Sequence, residues 1–590
     1  MARVRGVRRF VPILDWLPRY AKADLPGDLI AGGIVAVMLV PQAMAYAMLA
    51  GLPPQIGLYA SLLPLVAYGA LGSSRALAVG PVAIASLMTA SALGAIAEAG
   101  SADYVAAALV LAALSGLILL AMGIARLGVL VNFLSHPVIS GFTSAAALVI
   151  AVSQLKHFLG IEVARGEGFA AAITGVARAI PQTNIATALL GAGAVAILVL
   201  SRRPLAKLLG GLGLSPAMIA PATKMGPLVA VFLTALAVWS LGLADAFGVA
   251  IVGTIPAGLP PVGVPRLDPA LWAELFPAAL LISAIGFLES VSVAKALASK
   301  RRQKIDADQE LLALGTANLA ASVTGGYPVA GGFGRSSVNF AAGANTPLAS
   351  LITAALMALT LLLLTPLFFY LPRTVLAAII IVAVLDLIDV RTFRDAWRYN
   401  KADAVSLAAT FVSVLAAGVE AGIVFGLAVS IALYLWRTSR PHLAVVGRVG
   451  DTEHFRNVRR HTVHTTPGVH VVRIDESLYF ANAGYLEDQL LGAVADDKTI
   501  QHVVLVCSAV NFIDASALET LESTIIGLRD AGVTLHLAEV KGPVADRLQR
   551  TAFLDHLKPG SVFLSTHEAM RTLAGGRAPL AEPGADPICK

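Results

Sequence analysis

The chain has 590 residues, of which 57% are hydrophobic and only 14% charged. That composition excludes an ordinary soluble globular protein and fits a polytopic membrane protein. The formal net charge of +6 is dispersed among short loops, which fits a positive-inside topology and argues against nucleic acid as a partner.

Met1 to Lys22 is basic and lacks a short apolar run with a small-residue cleavage site, so no cleavable signal peptide is expected. Residues 29–74 and 76–97 contain no charge at all. A bilayer core of ~30 Å takes ~20 apolar residues per helix, so the first of these runs holds two crossings. Continuing along the chain predicts fourteen segments: 28–50, 56–72, 82–98, 104–126, 132–158, 184–201, 226–244, 270–297, 308–325, 334–343, 347–369, 374–389, 403–418 and 420–437. Arg75, Arg126, Arg202 with Arg203, Lys300 to Lys304, and Arg391 to Lys401 follow even-numbered segments, which places both ends in the cytoplasm. Arg165 and Arg178 are the main exceptions.

The third and tenth segments are short and begin in broken backbone. Val79-Gly80-Pro81-Val82 opens one and Gly331-Gly332-Phe333-Gly334-Arg335 opens the other, seven helices later. This spacing predicts a seven-plus-seven inverted repeat, and interrupted segments at matching positions point to a midplane binding site. Two half-helix N-termini offer free N–H groups and roughly +0.5 charge each to an anion. Ordinary re-entrant kinks are the plainer alternative.

After Arg440 the composition changes abruptly. Residues 441–465 are polar and rich in histidine and arginine, and read as a linker or the first strand of a soluble domain. Strands are predicted at Val469–Ile474, Val503–Val506 and Thr534–Ala538, with helices at Ala481–Val494, Ser516–Asp530 and Pro543–Gln549. The alternation predicts a small α/β domain over 466–574, behind a membrane domain at 28–440 and an N-terminal segment at 1–27. The tail, 575–590, is rich in Pro, Gly and Ala and reads as disordered.

Arg335 is the only charged residue between Leu311 and Pro372. A lone cation at membrane depth is costly and marks a functional site by default. It either neutralises part of an anion's charge or sets the local potential. Ser336 and Ser337 follow it, and the Ser336 hydroxyl either caps the helix or meets the ligand. Gln42 and Tyr46 share a helix face, where an amide and a phenol donate either to an oxyanion or between helices. Glu289 is the only charge between Leu275 and Ala294. An isolated buried carboxylate takes up a proton, which would couple anion and proton binding; a fixed Glu289–Arg335 ion pair is the alternative. Glu420 has a helix-start or gating role.

Gly331-Gly332-Phe333-Gly334 lacks the preceding soluble strand and Lys-Ser/Thr ending of a nucleotide loop. No metal-ligand spacing or nucleophile–base pair is present, so neither cofactor, metal nor enzymatic activity is expected. The two cysteines, Cys507 and Cys589, do not make a disulfide framework, and Cys507 reads as a buried strand thiol. In the soluble part, Asp514 or Ser516 is placed to cap a helix, and a regulatory phosphoserine at Ser516 is the sharper alternative.

Pro41-Gln42-Ala43-Met44-Ala45-Tyr46-Ala47, Ala50-Gly51-Leu52-Pro53-Pro54 and Gly57-Leu58-Tyr59 resemble the signature of the sulfate permease (SulP) family. So does Glu289 through Asn339, including Ile305-Asp306-Ala307-Asp308-Gln309-Glu310 and Gly332 to Asn339, while the soluble part is similar to the family's STAS domain. The resemblance implies a fourteen-helix α-helical membrane domain of core and gate, moving as an elevator, commonly in a homodimer. It implies an anion between the third and tenth helix starts, carried onto Gln42, Tyr46, Val82, Ala83, Phe333, Gly334 and Arg335. A glutamate at 289 resembles the proton-coupled sulfate branch, whereas sodium-coupled bicarbonate members typically have aspartate. Many relatives have serine where this chain has Gly334. Asp514-Ala515-Ser516-Ala517 resembles the phosphorylated loop of anti-sigma-factor antagonists but departs from it at Ala515 and Ala517.

The sequence thus predicts a secondary transporter of the cytoplasmic membrane that imports sulfate with protons. The alternatives are a dicarboxylate or bicarbonate carrier, an uncoupled exchanger or channel, and a membrane-anchored scaffold in which a STAS-bound protein partner is the point.

Overall fold

The computed structural model describes residues 11–132, 136–163, 168–213, 219 and 222–574. The tail expected to be disordered and Arg165 lie outside them. The chain divides into two compact units, one up to Ser430 and one from Ile431 onward.

The first unit is helical. Its first half runs α1 (Leu25–Leu49), α2 (Pro54–Tyr59), α3 (Leu63–Leu71), β1 (Val79–Gly80), α4 (Ala83–Gly94), α5 (Ala102–Ile124), α6 (His136–Leu159), α7 (Gly168–Ala179), α8 (Ile185–Leu200) and α9 (Gly226–Ser240). The second half runs α10 (Pro269–Lys300), α11 (Ala307–Val323), β2 (Ala330–Gly331), α12 (Phe333–Ala341), α13 (Leu348–Leu359), α14 (Arg373–Leu385), α15 (Val390–Tyr399), α16 (Lys401–Ala417) and the beginning of α17 (Val419–Ser439), a helix that continues into the second unit. Every predicted segment coincides with helix. The second is split into α2 and α3, and the eleventh continues past α13 as a π turn at Thr360–Leu364 and a 3-10 turn at Thr365–Phe368. Seven helices of the described residues are long and apolar enough to cross a membrane singly, up to eight if the bent pair around Asn184 is one span.

Small residues let the helices approach. A Cβ on Gly116 of α5 would lie 2.9 Å from the Gly315 carbonyl of α11, and one on Gly315 equally close to the Gly116 carbonyl. Only glycine permits that backbone contact, the usual device for packing helices without a hydrophobic driving force. Two acidic side chains then lock loops onto helix ends. Asp28 accepts from Asn345 N (2.7 Å), Thr346 N (3.1 Å) and Thr346 Oγ1 (2.6 Å). Glu310 accepts from Tyr68 Oη (2.7 Å), Ser73 N (2.8 Å), Ser73 Oγ (2.8 Å) and Ser74 N (3.1 Å). Both carboxylates are fully buried and fully satisfied, as buried charge must be.

Amphipathic helices, α7 and α15 among them, occupy stretches expected to be loops. Arg391, Arg394 and Arg398 of α15 alternate with Phe393 and Trp397, whose rings meet at 6.1 Å.

The second unit carries a six-stranded sheet. Its strands are β3 (Leu443–Arg448), β4 (Phe455–Asn457), β5 (Val469–Ile474), β6 (His502–Val506), β7 (Thr534–Ala538) and β8 (Val562–Phe563), in the order β4-β3-β5-β6-β7-β8. β5 to β8 pair in parallel, while β3 is antiparallel to both its neighbours. The segment after Arg440 is therefore sheet and not linker alone. Helices α18 (Ala483–Asp496), α19 (Ala515–Asp530), α20 (Gly542–Leu548) and α21 (Phe553–Leu557) pack with one apolar face of the sheet, and α22 (Thr566–Leu573) with the other. Val503 and Leu505 point to the first face, Val504 and Val506 to the second, which explains the unbroken apolar run of a doubly covered strand.

Candidate functional site

Neither half-helix has a side-chain cap at its start. α4 begins after Val82, in extended backbone, and α12 after Gly332, likewise extended. Their first-turn N–H groups are therefore left for a ligand, as at other anion-binding helix starts. The strands leading into them pair antiparallel, Val79 with Gly331 and Gly80 with Ala330, so the two starts are tied together. Further bonds reinforce the tie: Gly332 N donates to Ala78 O (3.2 Å), and Asn339 Nδ2 to Ala76 O (3.0 Å). Ser290 of α10 accepts from Gly331 N at 2.8 Å, fixing α10 beside the pair.

A cavity of about 360 Å³ opens at this crossing. Gln42 and Tyr46 of α1, Val82 and Ala83, Glu289 of α10, and Phe333, Gly334 and Arg335 of α12 all line it. The structure thus brings together every expected substrate-binding residue but one. Ser336 is fully buried behind the cavity, and its hydroxyl accepts from Ala78 N at 2.9 Å. One step along the helix turns the side chain away, and Ser337 is the serine that faces the cavity. The Ser336 hydroxyl does not cap its own helix and does not line the cavity, contrary to its expected place among the binding residues.

Arg335 is 3% exposed and occupies the third position of α12, where a cation opposes the helix dipole. Its Nη1 donates to Pro81 O at 2.6 Å, while Nε and Nη2 are buried without a partner. Glycines make room for the guanidinium. Gly80 has φ +154, open to glycine, and a Cβ there would sit 3.5 Å from Arg335 Nη2; one on Gly332 would sit at 3.2 Å. Glu289 Oε2 is likewise buried and unpartnered. The fixed ion pair is absent: Glu289 and Arg335 face one cavity without bonding each other. Unlike Asp28 and Glu310, they are left with hydrogen-bonding capacity that a ligand could fill.

The opposite wall was not read from sequence. Arg202, just past α8, binds Asp386 at the end of α14 through two contacts of 2.9 Å, and Lys224 precedes α9. From sequence Arg202 reads only as a loop cation, and a short Asp386 loop carries no motif. The remaining candidates lie elsewhere. Asp514 caps α19, its Oδ1 accepting from Ala517 N at 2.8 Å, which leaves Ser516 exposed in the first turn. Cys507 is buried, and burial pushes its thiol up to about 12. Glu420 lies in the first turn of α17 with Oε1 buried and unpartnered.

Two family models match the chain: the one described as Sulfate permease family over residues 25–410, and the STAS domain over 461–569. Sulfate transporter 4.1, chloroplastic, of Arabidopsis thaliana is 36% identical over 97% of this chain and 83% of its own length. Probable sulfate transporter 4.2 of the same plant is 37% identical over 92% and 80%. Among solved structures, murine Solute Carrier 26 family member A9, an anion transporter in the inward-facing state, superposes with a TM-score of 0.87 at 25% identity, covering 97% of this chain and 94% of that one.

Proposed function

Because the chain belongs to the sulfate permease family, a family of multi-pass membrane transporters and not enzymes, we propose that it imports sulfate together with protons. The observation that carries this reading is the convergence of two uncapped half-helix starts and a buried, incompletely bonded Arg335 on one cavity. In this reading the N–H groups at Ala83, Phe333 and Gly334 and the donors of Gln42 and Tyr46 hold the oxyanion, with Val82 shaping the approach. Arg335 sets the positive potential. Glu289 carries the coupled proton, and alternating access follows an elevator-like movement of the helices that bear the site. The curated relatives named as sulfate transporters support the choice of anion. Loop basicity supports an orientation with both termini inside, in the proposed setting of the cytoplasmic membrane, and the family resemblance supports a homodimer. Ser516, exposed at a helix start, remains the regulatory candidate of the STAS domain.

The test is uptake of labelled sulfate into proteoliposomes with and without an inward proton gradient. Accumulation above equilibrium only with the gradient is expected. Uptake indifferent to the gradient overturns the coupling, and uptake of bicarbonate or dicarboxylates in preference to sulfate overturns the substrate.

A further inference from the structure

The second unit has a concave site of about 380 Å³ lined by His442, Arg456, Asn457, Arg460, His461, Arg473 and Asp475. Three arginines and two histidines face a single carboxylate there. That carboxylate is already taken: Arg473 donates to Asp475 from Nε (2.6 Å) and Nη2 (3.1 Å), and His442 Nδ1 lies 2.7 Å from Oδ2. Arg456 and Arg460 are exposed, and neither has an acidic partner among the described residues. The concavity therefore keeps two uncompensated guanidinium groups, the side chains best suited to a phosphate.

Its position follows from the strand pairing. β3 begins just after α17 ends at Ser439, and β4 runs antiparallel to it, with Val446 opposite Asn457 and Val458 N donating to Val445 O at 3.1 Å. The chain after β4 thus returns toward the beginning of β3, which brings Arg460 and His461 beside His442. His442 follows the end of an apolar membrane-length helix by three residues, at most ~10 Å of extended chain. That distance is comparable with the depth of a headgroup layer. Trp436, Arg437 and Arg440 mark the same end of α17, Arg440 stacking on the Trp436 ring at 4.6 Å, as interfacial anchors do.

We propose that this pocket binds the phosphate of an anionic phospholipid headgroup, drawn from the leaflet at the C-terminal end of α17. Arg456 and Arg460 grip the phosphate, while Arg473 and His442, held by Asp475, form the back of the pocket. The site is separate from the transport cavity and would tie the start of the STAS sheet to the bilayer surface.

The full-length protein in neutral detergent is titrated with dioctanoyl-phosphatidylglycerol, dioctanoyl-phosphatidylcholine or inorganic phosphate, and its melting temperature and lipid Kd are followed. Phosphatidylglycerol raises the melting temperature and the other two do not. Arg456→Gln/Arg460→Gln, changing only exposed side chains, leaves the lipid-free melting temperature unchanged and weakens phosphatidylglycerol about 30-fold, since each basic residue near an anionic surface is worth ~1 kcal/mol. An undiminished phosphatidylglycerol effect in the double variant overturns the site. An equal effect of inorganic phosphate, lost in the variant, overturns the lipid as its source.

Discussion

Gly334 leaves the cavity-facing start of α12 bare, and a Cβ placed there would meet nothing within 4 Å. A serine at this position adds a hydroxyl without a clash and gives an oxyanion one more donor. Hydrogen bonds to charged groups contribute about 1.5–3 kcal/mol, so Gly334→Ser is expected to lower the KM for sulfate about tenfold. An unchanged KM would mean that the anion does not reach the first turn of α12. Arg335 was legible because an isolated charge in an apolar stretch is visible in the sequence alone. Its orphaned Nε and Nη2 were not, because no sequence pattern shows that the nearest carboxylate stops short of it.

At the scale of elements, α12 is held to the approach of α4 by backbone pairing and by Ser336. Removing the Ser336 hydroxyl leaves the Ala78 N–H buried without an acceptor, a loss of about 1–3 kcal/mol. Ser336→Ala is therefore expected to lower the melting temperature in detergent while leaving the KM for sulfate unchanged; a raised KM with an intact melting temperature would return Ser336 to the ligand. Glycine, proline and the loss of periodicity marked where α4 and α12 begin, so the broken segments were readable. Which of two adjacent serines faces inward was not, since it depends on helix rotation set by packing. Amphipathic α15 was missed because its apolar residues are spaced among charges and mimic loop composition, and α7 because Gly168, Gly175 and Arg178 interrupt a short apolar stretch. In the STAS sheet, β5 and β7 were found at their observed bounds because they are short stretches dominated by Val, Ile and Leu, whereas β8 spans only Val562–Phe563 and offers no pattern to find.

For the whole molecule, the seven-helix offset between the two broken segments implied an inverted repeat, and the antiparallel Val79–Gly331 pairing is the contact such a repeat produces at its centre. The wall across the cavity, with Arg202 and Asp386, comes from helices whose sequences show only topology. The proposed proton coupling belongs to this whole arrangement and not to one residue's affinity. The buried carboxylates of the apolar unit have different fates: Asp28 and Glu310 are spent on structural donors, while Glu289 Oε2 beside the cavity and Glu420 Oε1 at the start of α17 have no partner. The proposed coupling needs a group that can change protonation without releasing the fold, and of these two Glu289 is the one that lines the cavity. Glu289→Gln keeps the shape and removes the proposed proton site. It is expected to abolish gradient-driven sulfate accumulation while sulfate–sulfate exchange continues, because an uncoupled carrier can only equilibrate its substrate. Loss of exchange as well would assign Glu289 to anion binding, and retained accumulation would move the coupling proton to another group.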